Sequence, residues 1–426
     1  MILFLDLDGT LTKTAHPYFK KMKDGIEPTN IEFIRKYVFP NAFDFIKEQI
    51  AFGNKLYIIS DSHPKYVQPI AEKIFDLPYL SLADKPNDKK TRNFIESVPE
   101  LKKAYSNKDN FIMIGDSWLD IELGRLLNIK TVHTRFYKTE AKEIRDGIGD
   151  DWKPMKAGPT YYTNSFKELS DIIANPLDNL LALEAVFQGK TSAKTVKFKF
   201  TKYQNGFTAF RCLARQEGGE YDRYARADKY YQIDKLSRSP EFLNLLANSM
   251  NNYLKELKKY NSYSWDYFTY VSDKKTTKPP NKMKEIFDLV ESDIEKVKML
   301  EWNKDVEGSL RQQPDYKSRR EFIDKHLSII ETFDLEDKNV IIIDDQFTTS
   351  ATAYSISNKL RNKGVKNIIF VALFYLILPL ANKTCPKCGK TMQIKINRNK
   401  GTKFYSCTPP KYRGEGCGHI ININNG

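Results

Sequence analysis

Asp6 and Asp8 close an apolar run, Met1-Ile2-Leu3-Phe4-Leu5, and lead into a turn at Gly9. In extended backbone, residues i and i+2 face the same way, so both carboxylates would meet at the carboxyl end of a buried strand. Carboxylates that close repel unless a cation or a proton separates them. Mg²⁺ favours a few carboxylates together with water and phosphate oxygens. A nucleophilic carboxylate beside an acid/base is one way to move a phosphoryl group. Three later stretches carry related chemistry. Leu56 to Ser62 is an apolar strand ending in hydroxyls at Ser60 and Ser62, Lys85-Pro86-Asn87 lies in a polar loop, and Phe111 to Asp120 is a strand ending in Asp116 and Asp120.

The elements that must position these groups alternate. Helical patterns over Phe43 to Phe52, Tyr66 to Phe75 and Asp120 to Leu127 separate the strands, which predicts a doubly wound parallel α/β sheet. Such sheets bind ligands beyond the carboxyl ends of their strands. A last strand is expected at Thr160 to Thr163 and a short helix at Ser165 to Ala174, with a boundary at Asn175-Pro176. On these motifs, in this order, residues 1–175 resemble the haloacid dehalogenase-like (HAD) hydrolases. The resemblance implies a phosphohydrolase with Asp6 as nucleophile, Asp8 as acid/base, and Ser60 and Lys85 on the phosphoryl group. It also implies Mg²⁺ held among Asp6, Asp8, Asp116 and Asp120. Lys89 and Lys90 lie close to Lys85 in sequence, and His16 and His63 border the motifs as incidental residues. Only a small insertion fits between Thr10 and Asn41. A site with so little cover suits a bulky phosphorylated substrate or closure by another domain.

A second constellation follows the apolar run Asn339 to Ile343. Asp344 and Asp345 precede Gln346-Phe347 and then Thr348, Thr349, Ser350, Ala351 and Thr352, which open a helical pattern to Asn362. A small-residue loop feeding a helix N-terminus offers N–H groups and hydroxyls to a phosphate, and two strand-end acids can take the hydroxyls of a ribose. Residues 262–382 resemble the type I phosphoribosyltransferases (PRTases), which implies 5-phosphoribosyl pyrophosphate (PRPP) or a nucleotide on these seven residues. Ser350 stands where that family has Gly, so the loop must avoid positive φ or tolerate it. Tyr267 to Val271 with Ser272-Asp273-Lys274 would supply a strand and a pyrophosphate loop, and Leu310 to Gln313 with Arg319 and Arg320 a hood. Between the two domains, residues 176–261 read as a hairpin and helical connector. It contains Asn205-Gly206 at a turn, Cys212 as a packed residue, and a helical pattern from Asp222 to Tyr260.

Cys385, Cys388, Cys407 and Cys417 form two separated thiol pairs, the donor set of a tetrahedral structural Zn²⁺ site. Residues 383–426 resemble the C-terminal zinc ribbons of bacterial type I topoisomerases, which implies single-stranded nucleic acid as a partner. Lys395, Arg398, Lys400 and Lys403 could follow phosphates while Phe404 and Tyr405 stack on bases. These last 44 residues hold nine basic and one acidic residue, so they carry more than half of the chain's net charge of +14.

The longest apolar run, Asn367 to Ala381, is broken by Pro379 and is shorter than the ~18 residues of a membrane span. The N-terminus enters the first strand with no basic-then-apolar leader, so no signal peptide is expected. Five cysteines, four of them clustered, do not read as a disulfide framework. These features predict a cytoplasmic protein, and the three resemblances together imply an α/β protein with Mg²⁺ and Zn²⁺ that combines phosphatase and phosphoribosyltransferase activities on ribose-phosphate or nucleotide substrates. Such fusions resemble enzymes of bacterial stress and anti-phage defence. Two other readings are a nucleotide-sensing, nucleic-acid-binding regulator without turnover, and a phosphatase acting on nucleic-acid ends. No protein partner can be read from the sequence.

Overall fold

The computed structural model describes residues 1–136, 152–198, 208–217, 239–260, 263–274, 282–303 and 316–377. It also describes positions 306, 308, 310 and 313 and the segments 385–389, 392–396, 403–407 and 417–422. Two compact units are present, one built on Met1–Pro176 and one on Leu177–Gln216 with Ala225–Leu376.

In the first unit, β1 (Ile2–Leu5) is apolar at every position and buried at every position, as expected of a central strand covered on both faces. Around it lie α1 (Ala42–Ala51), β2 (Lys55–Ile59), α2 (Pro64–Ile70), β3 (Tyr79–Leu80), α3 (Lys89–Ser97) and β4 (Phe111–Gly115). They are followed by α4 (Trp118–Leu126), β5 (Lys130–Thr134), β6 (Tyr161–Thr163) and α5 (Phe166–Ala174). The sheet order is β3-β2-β1-β4-β5-β6 with every pairing parallel. The chain winds outward from β1 to β3 and then returns to β4 on the other side of β1. The crevice beyond β1 and β4 is therefore the topological switch point, where open α/β sheets bind ligands. Phe4 packs edge-on against Tyr57 and Phe111, with ring centroids 6.1 and 5.6 Å away. Each such buried ring contributes about 1.5–3 kcal/mol. Pinning β1, β2 and β4 together in this way fixes the relative positions of the loops at their carboxyl ends.

The insertion between Thr10 and Asn41 is small, as expected. It forms helical turns at Pro17–Phe19, Lys20–Lys23 and Ile31–Arg35. Their aromatics make a local cluster in which the Tyr37 ring lies 4.9 Å from Phe19 and 5.1 Å from Phe33.

The second unit carries β7 (Val196–Phe198), β8 (Thr208–Glu217), α6 (Pro240–Tyr260), β9 (Tyr267–Tyr270), α7 (Met283–Leu289) and β10 (Glu295–Lys296). After these come β11 (Leu300–Trp302), α8 (Tyr316–His326), β12 (Leu327–Ile329), β13 (Asn339–Phe347), α9 (Ala351–Asn362) and β14 (Asn367–Ile377). Its main sheet runs β10-β9-β13-β14-β8-β7, parallel from β10 to β14 and antiparallel between β7 and β8. The hairpin strands thus extend the second sheet instead of standing apart as a connector. Cys212 is buried in β8; the turn at Asn205-Gly206 lies outside the described residues. The helical pattern expected from Asp222 is described from Pro240 onward. Phe242, Leu246, Met250, Tyr253 and Leu254 of α6 fall at helical spacing and pack into the core. The long apolar run from Asn367 is β14, a buried strand, and no described helix is long and apolar enough to cross a membrane. Near the C-terminus β15 (Gln393–Ile396), β16 (Lys403–Ser406) and β17 (Ile420–Asn422) form a small antiparallel sheet.

Candidate active site

The residues after β1 stay tied to the sheet for one more step, as the Asp6 amide donates to Ile114 O at 2.8 Å. The chain then turns sharply. Gly9 has φ +93°, and a Cβ built on it would lie 1.9 Å from Asp116 Oδ2. Both the conformation and the close approach therefore demand glycine. The turn is closed by the Gly9 amide on Thr12 O at 2.7 Å and the Thr12 hydroxyl on Leu7 O at 3.1 Å.

Asp6, Asp8, Ser60, Lys85 and Asp116 line one cavity of ≈ 270 Å³, together with Asp61, Ser62, Ser117, Leu119, Lys20, Lys23 and Asp24. Lys85 is the hub. Its side chain is 4% exposed, and Nζ donates to Asp6 Oδ1 at 2.6 Å and to Asp120 Oδ1 at 2.5 Å. Its amide donates to Asp61 Oδ1 at 2.8 Å, which anchors the loop. Lys89 and Lys90 are exposed on α3. Asp120 has two duties, since Oδ2 accepts from the Ser117 amide at 3.1 Å in the capping box that starts α4. Gly115 leaves room for it, because a Cβ there would meet Asp120 Cγ at 2.2 Å.

Carboxylate oxygens of Asp6, Asp116 and Asp120 lie within 4.8 Å of one another. Burial pushes the Asp6 carboxyl well above the usual range; Lys85 opposes that, while Asp120, Asp116 and Asp8 add to it. Lys85 is displaced upward, with burial opposing and Asp120, Asp6 and Asp61 driving it. Three buried carboxylates against one ammonium are a donor set suited to a hard divalent cation. The Asp8 carboxylate, expected among the ligands, is not part of this group. Its oxygens face hydroxyls instead: Thr14 and Tyr66 on Oδ1, Ser62 on Oδ2. Ser60 is buried with Oγ accepting from the Ser62 amide at 3.2 Å. His16 and His63 each cap a helical turn, accepting from Tyr18 and Lys65 amides.

The sequence alone assigns no role to Thr14, Asp61, Ser62 or Tyr66. Ser62 and Asp61 sit beside Ser60 and are within reach of motif reasoning. Thr14 and Tyr66 carry no local signal, because only the fold brings them to Asp8.

In the second unit, Asp344 is buried and its Oδ1 accepts from the Asp345 amide at 2.8 Å. Burial, then Asp345 and Asp273, push the Asp344 carboxyl well above the usual range. The acids lie inside β13, which continues to pair with β14 through Phe347, but they are past the last β13–β9 pair at Ile343 and Tyr270. Ser350 adopts a left-handed conformation, with φ +66° at the start of α9. Thr348 accepts from Arg319 Nη1 at 3.3 Å. Thr349 and Thr352 are half-buried, and Ala351 is buried. Arg319 and Arg320, expected in a hood, are on α8, where the Arg320 guanidinium lies 4.1 Å from the Tyr354 ring. Arg311 and Gln312 lie outside the described residues. Ser272 donates to Leu300 O at 2.8 Å, and Lys274 Nζ stands 4.1 Å from the Phe322 ring.

Cys385, Cys388, Cys407 and Cys417 converge, with Sγ atoms within 4.8 Å of one another and none in a disulfide. Four thiols at that separation fit a structural zinc ion. Tyr405 is half-buried and packs against Cys385, Met392 and Cys407, and Phe404 is half-buried. Arg398 and Lys400 lie outside the described residues, as do the side chains of Lys395 and Lys403.

No family model matches the chain, and no curated protein matches it. Solved structures do. One is a haloacid dehalogenase-like hydrolase from Streptococcus pneumoniae, 18% identical, covering 40% of this chain and 96% of its own, with a TM-score of 0.28. Another, from Clostridium acetobutylicum and assigned as a phosphatase, is 22% identical and covers 41% of this chain and 97% of its own, with a TM-score of 0.28. A third, from Lactobacillus delbrueckii and assigned as a phosphoglycolate phosphatase, is 21% identical with a TM-score of 0.25. That match covers 32% of this chain and about half (53%) of the other.

Proposed function

We propose that the Met1–Pro176 unit hydrolyses phosphate monoesters, with Asp6 as the attacking group, in the manner of the HAD hydrolases. The observation that carries this reading is the Asp6–Lys85 pair at the switch point of the sheet, in a cavity shared with Asp8, Ser60 and Asp116. Lys85 occupies Asp6 Oδ1 and leaves Oδ2 to attack phosphorus. Lys85 and the Ser60 hydroxyl are donors for the phosphoryl oxygens, and Asp8 is the acid and then the base. Asp6, Asp116 and Asp120 would hold Mg²⁺, which when bound offsets the charge of the phosphate. In the first step the Asp6–phosphorus bond forms and the ester bond breaks, with Asp8 protonating the departing alcohol. In the second, Asp8 takes a proton from water as that water displaces Asp6 from phosphorus. The test is phosphate release in Mg²⁺ from sugar phosphates, nucleotides and end-phosphorylated oligonucleotides. Asp6→Asn should abolish it, because no other group can form the aspartyl-phosphate. Activity confined to the oligonucleotides would favour action on nucleic-acid ends, and undiminished turnover by Asp6→Asn would refute the assignment.

A second reading concerns the second unit, where we infer a ribose-5-phosphate site for PRPP or a nucleotide at Asp344, Asp345 and residues 348–352. Its support is the acid pair on β13 running through a short loop into α9, with Ser350 in the left-handed conformation that lets the loop turn. Calorimetry with PRPP and nucleotides tests it. Binding with product formation supports a transferase, binding without turnover supports a sensor, and no binding by any of them refutes the site.

A further inference from the structure

The two carboxylates that end β1 keep opposite kinds of company. Asp6 is held by the Lys85 ammonium. Asp8 is held by hydroxyls: Oδ1 accepts from Thr14 Oγ1 at 2.6 Å and Tyr66 OH at 2.9 Å, and Oδ2 accepts from Ser62 Oγ at 2.9 Å. Ser62 lines the cavity, whereas Thr14 and Tyr66 do not and are fully buried. Oδ1 is therefore gripped from the protein side, and Oδ2 is the oxygen on the cavity side. A hydroxyl can donate to a carboxylate or, by rotating, accept from a carboxylic acid. Thr14 is itself backed by the Thr12 hydroxyl at 2.6 Å.

Resting on the phosphohydrolase reading of this cavity, we propose that Tyr66 and Thr14 are positioning residues for Asp8. They fix Oδ1 so that Oδ2 carries the proton exchanged with the substrate. As the Asp6–phosphorus bond forms, the ester P–O bond breaks with its electron pair on the leaving oxygen, and that oxygen takes the proton from Asp8 Oδ2. In the following step Oδ2 takes a proton back from the water whose oxygen bonds to phosphorus while the Asp6–phosphorus bond breaks. Tyr66 comes from α2 and Thr14 from the loop after β1, so each supports the proton transfer from outside the cavity.

Leaving-group dependence separates this role from a general effect on the fold. A glycerol alkoxide needs the proton; a nitrophenolate departs without it. With the full chain in Mg²⁺, Tyr66→Phe and Thr14→Val should each lower kcat/KM for glycerol phosphate roughly tenfold, a part of what general acid catalysis supplies. For p-nitrophenyl phosphate the fall should stay under roughly twofold. Thr14→Ser, which keeps the hydroxyl, should retain the wild-type ratio between the two substrates. An equal fall on both substrates, or none on either, overturns the proposal. If Tyr66→Phe does not fold, the comparison of Thr14→Val with Thr14→Ser decides. Absence of Asp6-dependent phosphate release from either substrate by the wild type overturns the phosphohydrolase reading itself, a result distinct from an active wild type with an unchanged ratio.

Discussion

His133 offers a quantitative test of the first unit's core. It sits on β5 beside β4, buried, with its ring 5.5 Å from that of Tyr162. Burial, reinforced by nearby Arg135, pushes the imidazole down to about 3. In the unfolded chain it should titrate near about 6.5. The folded state therefore keeps His133 neutral where the unfolded chain takes up a proton. Its contribution is complete above about pH 6.5 and is lost as the pH falls towards about 3. Between about pH 7.5 and about pH 5 the loss is about 2 kcal/mol, and it levels off near about 5 kcal/mol below the folded pKa. Asp6 and Asp61, whose carboxyls are raised by burial, change stability with the opposite sign, gaining as the pH falls. They are common to the wild type and to His133→Gln, so the difference between the two proteins isolates the histidine. The assay is hydrogen exchange of β5 peptides across a urea series, read by mass spectrometry at both pH values. With a urea slope of about 2 kcal/mol/M, the wild-type midpoint should drop about 1 M further than that of the variant. Midpoints that move in parallel would refute the claim that this imidazole is held neutral.

The buried ion cluster, the cysteines and the strained loop give three more expectations. Lys85→Met should cost about 3–5 kcal/mol in Mg²⁺-free buffer, because it leaves buried carboxylates without their ammonium, and added Mg²⁺ should restore part of that in the same exchange assay. Equal stability of the variant and the wild type would show that the cluster is not held by Lys85. Metal analysis should find about one zinc ion per chain, lost on Cys385→Ser or Cys407→Ser, with phosphate release by the first unit retained; protein purified without chelator and lacking bound metal would count against the site. Ser350→Gly should stabilise the second unit by up to about 1 kcal/mol in urea titration, since glycine removes the left-handed strain of an L-residue. A destabilised variant would mean that the Ser350 side chain matters more than its backbone conformation.

The first sheet is legible in the sequence because its strands are short, fully apolar and bounded by helical patterns, and because its chemistry sits at strand ends. Asp6, Ser60 and Asp116 come directly after β1, β2 and β4, so a parallel sheet in that order brings them together without further information. Lys85 is harder to choose from sequence, since Lys89 and Lys90 have the same local composition. The difference between them is three-dimensional: Asp61 holds the Lys85 amide and aims one lysine inward, while α3 carries the other two to its exposed face. The strands β7 and β8 are legible as a hairpin, yet their place in the second sheet depends on an edge that β14 offers far along the chain. The spacing of Asp6 and Asp8 gives both a place at one strand end but cannot divide their duties. That division comes from partners distant in sequence, an ammonium from the loop after β3 and hydroxyls from Thr14, Ser62 and Tyr66. Two identical side chains two residues apart thereby meet different partners: one carboxylate is paired with an ammonium, and the other is ringed by hydroxyls.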